Sequence, residues 1–279
     1  MENGVFPKPY LEPETVAAQR AKRYWPGRAK KTFQLSKSAI TFNRFLFGNK
    51  SAVHFGWLCR SLYPTKKCIA SMSSLASESP QHLLVFAREP VLGRVKTRLA
   101  ADIGPEAALE VYRELLALTA AAVTATSVPA TVWLAEAPHP TANAAQPRPE
   151  WPGLPWRVQP PADLLGERMA HAFGEAFATG AGRVVIIGTD CPGLQPVILQ
   201  QAFAALEAHD LVVGPAEDGG YYLLGLRELQ PALFANKDWS TATVLPDTLA
   251  DAARLGLRVA QLPVLHDVDS ARDLAAWRG

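Results

Sequence analysis

Three observations in the sequence predict an α/β fold, a three-layer α/β/α sandwich around a mostly parallel sheet. Apolar, β-branched runs such as Val184-Val185-Ile186-Ile187 alternate with stretches of helical periodicity. No internal repeat interrupts the alternation. The strongest run ends abruptly in Gly188-Thr189-Asp190-Cys191-Pro192-Gly193, which sets one carboxylate among turn formers, just beyond a strand, where open α/β sheets bind ligands.

The elements follow in order. Leu83 to Ala87 reads as a buried strand, and the loop after it holds Pro90 and Gly93. Leu109, Tyr112, Leu115 and Leu116 recur at helical spacing within a helix from Pro105 to Thr126, with Pro105 suited to its first turn. Ala130 to Ala135 is the next strand. Pro138 to Pro161 is a Pro-rich surface connection with Trp151 and Trp156 as packing anchors. A helix from Leu164 to Thr179 puts Met169, Phe173 and Phe177 on one face, and a strand begins at Arg183. Gln195 to His209 is helical and Leu211 to Val213 extended. After Gly219-Gly220, Tyr221 to Leu226 reads as a hairpin arm or edge strand. Thr241 to Leu255 is helical, with Ser240 or Thr241 as its cap, Arg258 to Leu262 extended, and Ser270 to Trp277 a closing helix.

Charge divides the chain. Residues 1–71 hold 13 Lys and Arg against 3 Asp and Glu, whereas residues 72–279 are net acidic by 8. The basic segment lacks sustained periodicity and mixes cations with aromatics, as in Arg20-Ala21-Lys22-Arg23-Tyr24-Trp25. It is expected to be a disordered N-terminal extension. An organellar presequence fits its scarce acid but not its prolines and tryptophans, and an arm for nucleic acid or membrane is disfavoured. Met72 opens a polar lead-in that looks like a natural start, so residues 72–279 are expected to form the working domain. No run reaches the roughly 18 apolar residues of a membrane span. Cys59, Cys68 and Cys191 are too scattered for a disulfide framework or zinc site, which points to a reducing, cytoplasmic setting. Nothing in the sequence fixes an oligomeric state.

Several groups can carry chemistry. The first loop runs Arg88-Glu89-Pro90-Val91-Leu92-Gly93-Arg94-Val95-Lys96-Thr97-Arg98. On an extended segment Arg94, Lys96 and Arg98 point one way and form a receptor for a di- or triphosphate. The Walker A spacing is absent. Phosphate invites Mg²⁺ or Mn²⁺, and a few carboxylates suffice beside phosphate oxygens. Asp190 is one candidate ligand. Asp267 and Asp269, sharing a face of an extended segment, are the others, while Ser270 and Asp273 form a helix capping box. Gly219 and Gly220 permit either close backbone approach to a nucleotide or a positive-φ turn, and Asp218, with Glu217 beside it, is the candidate for orienting or deprotonating an acceptor. Arg168, in a first helical turn, is placed to reach a phosphate. Cys191 has no His in its motif to activate it as a nucleophile.

Taken in order, the segments Phe86 to Leu99, Gly188 to Pro192, Gly214 to Gly225 and Asp267 to Ser270 resemble a bacterial family of glycosyltransferase-like proteins, the arsenosugar-biosynthesis type. The resemblance spans about residues 82 to 277. It implies the GT-A nucleotide-diphospho-sugar transferase fold, shared with molybdenum-cofactor guanylyltransferases. It further implies that the Arg94-Lys96-Arg98 loop replaces a glycine-rich nucleotide loop and that Asp190 and Asp269 hold the metal. The usual D-x-D is missing, since Thr189-Asp190-Cys191-Pro192 offers one Asp. Two reactions follow: metal-dependent glycosyl transfer from a nucleotide sugar to a small-molecule acceptor, or nucleotidyl transfer from a nucleoside triphosphate with release of pyrophosphate. A non-catalytic nucleotide-binding module is the third reading.

Overall fold

The computed structural model describes residues 79–137 and 148–279. The extension expected at residues 1–71 and the middle of the Pro-rich connection fall outside them. Strand β1 (Gln81–Ala87) is followed by helices α1 (Thr97–Ile103) and α2 (Pro105–Ala125), then β2 (Ala130–Leu134) and β3 (Trp156–Val158). Next come α3 (Leu165–Ala178), β4 (Arg183–Ile187), α4 (Pro196–Ala205), β5 (Leu211–Pro215) and β6 (Tyr221–Leu226). A 3₁₀ turn (Pro231–Phe234), α5 (Val244–Arg254), β7 (Val259–Gln261) and α6 (Ala271–Arg278) complete the chain.

The sheet has seven strands in the order β3-β2-β1-β4-β6-β5-β7. All pairings are parallel except those of β6, which runs antiparallel to both β4 and β5. Only five residues link β5 to β6, too few for a parallel crossover, so the hairpin is forced. The sequence therefore marks a hairpin arm correctly, but β6 is no edge strand: it lies buried between two neighbours. Its continuous apolar run Tyr222-Leu223-Leu224 reflects burial on both faces.

Alternation along the strands makes the three layers. Leu83 and Val85 of β1, with Val185 and Ile187 of β4, pack under α2 and α4. Leu84, Val184 and Ile186 face the other way, onto Met169 and Phe173 of α3 and Ala252 of α5. Trp151 and Trp156 are buried as expected, although Trp156 begins a short strand that the Pro-rich surroundings conceal. A smaller cluster of Leu99, Val111, Leu115 and Val268 ties α1 and α2 to the segment before α6.

The connections set the functional position. From β1 the chain moves outward to β2 and β3, then returns to the other side of β1 at β4. The order thus reverses between β1 and β4, and a crevice opens beyond their carboxyl ends. The Arg88 to Arg98 loop leaves β1 there, and Gly188-Thr189-Asp190 leaves β4.

Candidate functional site

A cavity of about 550 Å³ occupies this crevice, lined among others by Arg88, Arg94, Lys96, Arg98, Asp190 and Asp269. Its centre is an ion triad. Lys96 Nζ donates to Asp269 Oδ1 at 2.8 Å and also to Asp190 Oδ1. The lysine side chain is only 4% exposed, whereas those of Asp190 and Asp269 are 49% and 42% exposed. Burial alone would lower the Lys96 ammonium, but the two carboxylates outweigh it and hold the group above its ordinary value.

Local structure fixes each member. Val268 is fully buried, so the extended residues beside it, Asp267 and Asp269, turn away from the core. Its N–H donates to the Asp190 carbonyl at 2.9 Å, which holds the two acidic segments side by side. Asp273 Oδ2 accepts from the N–H groups of Asp269 and Ser270, while Ser270 caps α6, as its capping box predicts. Lys96 has φ 46° and ψ 46°, a left-handed conformation uncommon for a residue with a side chain. Its carbonyl accepts the Ala100 N–H, so the lysine starts α1.

A second cationic group shares the cavity. The buried Tyr112 hydroxyl accepts from the Arg88 N–H at 2.9 Å and donates to the Arg88 carbonyl, which fixes the backbone beneath an exposed guanidinium. Burial pushes the Tyr112 hydroxyl up to about 12. Arg168 donates to Gln159 Oε1 at 2.9 Å, and Gln159 in turn donates to the Trp133 carbonyl. Burial lowers the Arg168 guanidinium, and the neighbouring charge of Arg88 lowers it further. Neither Arg88, Arg98 nor Arg168 has an acidic partner among the described residues, whereas Arg94 pairs with Glu136.

The arrangement differs from the expectation in several ways. Arg94, Lys96 and Arg98 do meet one cavity, but not by strand alternation, because Lys96 is left-handed and Arg98 already lies in α1. Gly93 turns the loop at φ 73° without lining the cavity. Asp267 and Asp269 part ways: Asp269 joins Lys96, and Asp267 stays outside the lining. Burial raises the Asp267 carboxyl, and Asp218, Asp269 and Asp190 add to the effect, so these four acids lie near one another.

Glu217, Asp218, Gly219 and Gly220 are also outside the lining. Glu217 pairs with His266 Nδ1 at 2.8 Å, and Asp218 Oδ1 accepts the Gly220 N–H within its own turn. Gly219 has φ 88°, and a Cβ there would meet the Ala242 carbonyl at 2.5 Å. Of the two readings of the glycine pair, the positive-φ turn is the one seen, packed closely against Ala242. Ser240 caps no helix: its φ is 66°, α5 starts after Thr243, and Ser240 lines the cavity. Gln159 carried no motif in the sequence, and Ser240 stood out there only as a cap candidate. The thiol of Cys191 is buried and pushed far up by burial and by Asp190.

Asp190 and Asp269 fit a divalent cation. Their Oδ1 atoms already converge on one cationic group, and neither Oδ2 is hydrogen-bonded among the described residues. No cluster of three or more His, Cys, Asp or Glu ligands forms among those residues, so the protein alone builds no cage. Two carboxylates completed by phosphate oxygens and water are the arrangement Mg²⁺ favours.

Residues 118–241 match a family profile described as an uncharacterized protein conserved in bacteria, DUF2064. A crystal structure from Desulfovibrio desulfuricans G20, assigned as a nucleotide-diphospho-sugar transferase, is 34% identical over 71% of this chain and 86% of its own, with a TM-score of 0.64. The chain belongs to that family. It is thus a transferase by family, with the nucleotide-diphospho-sugar transferase fold that the ordered motifs imply. More distant matches include the manganese complex of Rv0371c from Mycobacterium tuberculosis H37Rv, 16% identical over 72% of this chain and 98% of its own, TM-score 0.45. A nucleotidyl transferase from Methanothermobacter is 14% identical over 71% and 96%, TM-score 0.47. Among curated proteins none matches. No helix among the described residues of this transferase is long and apolar enough to cross a membrane.

Proposed function

We propose that the chain is a metal-dependent glycosyltransferase that moves a sugar from a nucleotide-diphospho-sugar donor to a small-molecule acceptor in the cytoplasm. The observation that carries this reading is the meeting of Asp190, Asp269 and Lys96 at the reversal point of the sheet, inside a cavity also lined by Arg88, Arg94, Arg98 and Arg168. Membership of the Desulfovibrio protein's family supports the sugar-nucleotide donor, and the arsenosugar-type resemblance supports transfer to a small acceptor.

In this reading the arginines bind the diphosphate, with forked contacts that fix its orientation. Lys96 places a compact positive charge where the departing nucleoside diphosphate gains negative charge, which lowers the barrier without solvent reorganisation. Asp190 and Asp269 would hold Mg²⁺ or Mn²⁺, which supplies Lewis-acid neutralisation of that same leaving group. Gln159, fixed between Arg168 and the Trp133 carbonyl, gives the wall a rigid polar contact. Asp218 orients the acceptor hydroxyl, with Glu217 beside it; its electrostatic influence on Asp267 supports a place near the acidic group.

One observation favours a second reading. The guanidinium groups of Arg88, Arg98 and Arg168 lack acidic partners among the described residues, and with Lys96 they match the charge of a triphosphate. Nucleotidyl transfer would then release pyrophosphate. Product analysis separates the two: the full chain with Mg²⁺ or Mn²⁺ is offered panels of nucleotide sugars and nucleoside triphosphates. Free nucleoside diphosphate supports glycosyl transfer, pyrophosphate supports the second reading, and neither product with no nucleotide binding by calorimetry removes both.

A further inference from the structure

We propose that Lys96 is a built-in counter-ion that occupies the space between Asp190 and Asp269 and excludes a divalent cation until a phosphate-bearing ligand draws the ammonium away. The inference rests on the metal reading above and adds an order of binding to it.

The geometry gives the reason. Lys96 Nζ donates to one oxygen of each carboxylate, so its ammonium fills the point on which the two carboxylates converge. The ammonium is enclosed while both acids remain partly open to the cavity. A divalent ion and an ammonium held by the same carboxylates repel each other at close range, so one must yield. The acids cannot do so easily. Asp190 is tied through its carbonyl to Val268, and the Asp269 N–H is held by Asp273. The Lys96 backbone is equally fixed by the Ala100 N–H and by Val95, which is only 3% exposed. The movable part is the lysine's flexible four-carbon stem. Arg94 and Arg98 line the same cavity and gather phosphate oxygens beside it, giving the ammonium another anionic partner. Release of Lys96 to phosphate leaves two carboxylates with two negative charges for the metal. Metal and phosphate ligand therefore bind cooperatively, each raising the affinity of the other by the same factor.

The test is Mn²⁺ binding to the full chain, followed by electron paramagnetic resonance with no phosphate compound present. Lys96→Met keeps much of the side-chain volume and removes the charge, and Lys96→Gln keeps a hydrogen-bond donor. Both variants are expected to bind Mn²⁺ roughly tenfold or more tightly than the wild type. Equal or weaker binding by both variants overturns the proposal. If either variant is unfolded alone, millimolar Mn²⁺ is expected to restore its circular dichroism while leaving wild-type melting unchanged; failure to restore it is also contrary. Wild-type transfer activity without the variants' gain removes this inference alone. A gain in both variants, with a wild type that transfers nothing, removes the transfer reading and keeps the counter-ion.

Discussion

Gly219→Ala tests how the turn after β5 supports the cavity. Gly219 carries two separate constraints: a φ of 88°, and a Cβ position only 2.5 Å from the Ala242 carbonyl oxygen and 2.7 Å from its Cα. Left-handed backbone costs an L-residue about 1–2 kcal/mol. The contact adds an overpacking cost of about 1–3 kcal/mol, because its partner is backbone and not the end of a flexible side chain. Gly256 isolates the first cost, since its φ is 69° and nothing lies within 4 Å of its Cβ position. Gly219→Ala should therefore lower the unfolding free energy by about 1–3 kcal/mol more than Gly256→Ala in urea titrations of the full chain. The loss should reach the site, because the Leu245 N–H donates to the Gly219 carbonyl and the displaced residues 235–243 include Ser240. Equal losses in the two variants would show that the Ala242 contact does not constrain the turn.

Three further outcomes are expected. Lys237, 1% exposed, donates to Asp251 Oδ2 at 2.6 Å, and Asp251 also pairs with Arg254. Asp251→Ala leaves Lys237 buried without its partner and should cost about 3–5 kcal/mol, whereas Lys237→Met leaves Asp251 its arginine and should cost less; urea titration giving the reverse order refutes the argument. Burial, helped by Arg157, pushes the His82 imidazole below its ordinary 6.5, so folding favours the neutral ring. That stability is present above the ordinary value and is lost as pH falls through the lower folded value. Melting temperature should thus drop between about pH 7 and pH 5, less so in His82→Gln. The Cys191 thiol, buried and raised, should resist alkylation in the native protein and react once urea unfolds it, as read at that residue by peptide mass spectrometry.

What the sequence makes legible follows from how each signal arises. Long periodic or β-branched runs identify β1, α2, β4 and α3 to within a residue or two, because burial on a defined face imposes the pattern. The elements that escape it are short. Helix α1 has seven residues and buries only Leu99, and β3 has three beside prolines, so neither leaves a period to read. Within the site, Asp190, Asp269 and Lys96 stand out as charges beside turn formers, and the fold brings them together. Their mutual contact is a product of the crossover, which joins residues 173 positions apart. Gln159 is silent, and Ser240 reads only as a cap, for the same reason: each becomes a cavity residue only when distant segments close over it. The Gly219-Gly220 pair leaves two readings open in the sequence, since a positive-φ turn packed on a second loop has the same signature as a close approach to a ligand.

Turnover by Asp190→Asn tests the central claim most directly. The substitution keeps shape and removes the charge that partners Lys96 and would anchor the metal. With the wild type releasing nucleoside diphosphate from a nucleotide sugar, the variant should turn over about 100-fold or more slowly while its fold, followed by circular dichroism, is retained. A folded Asp190→Asn protein with wild-type turnover would contradict the assignment of the reaction to this site.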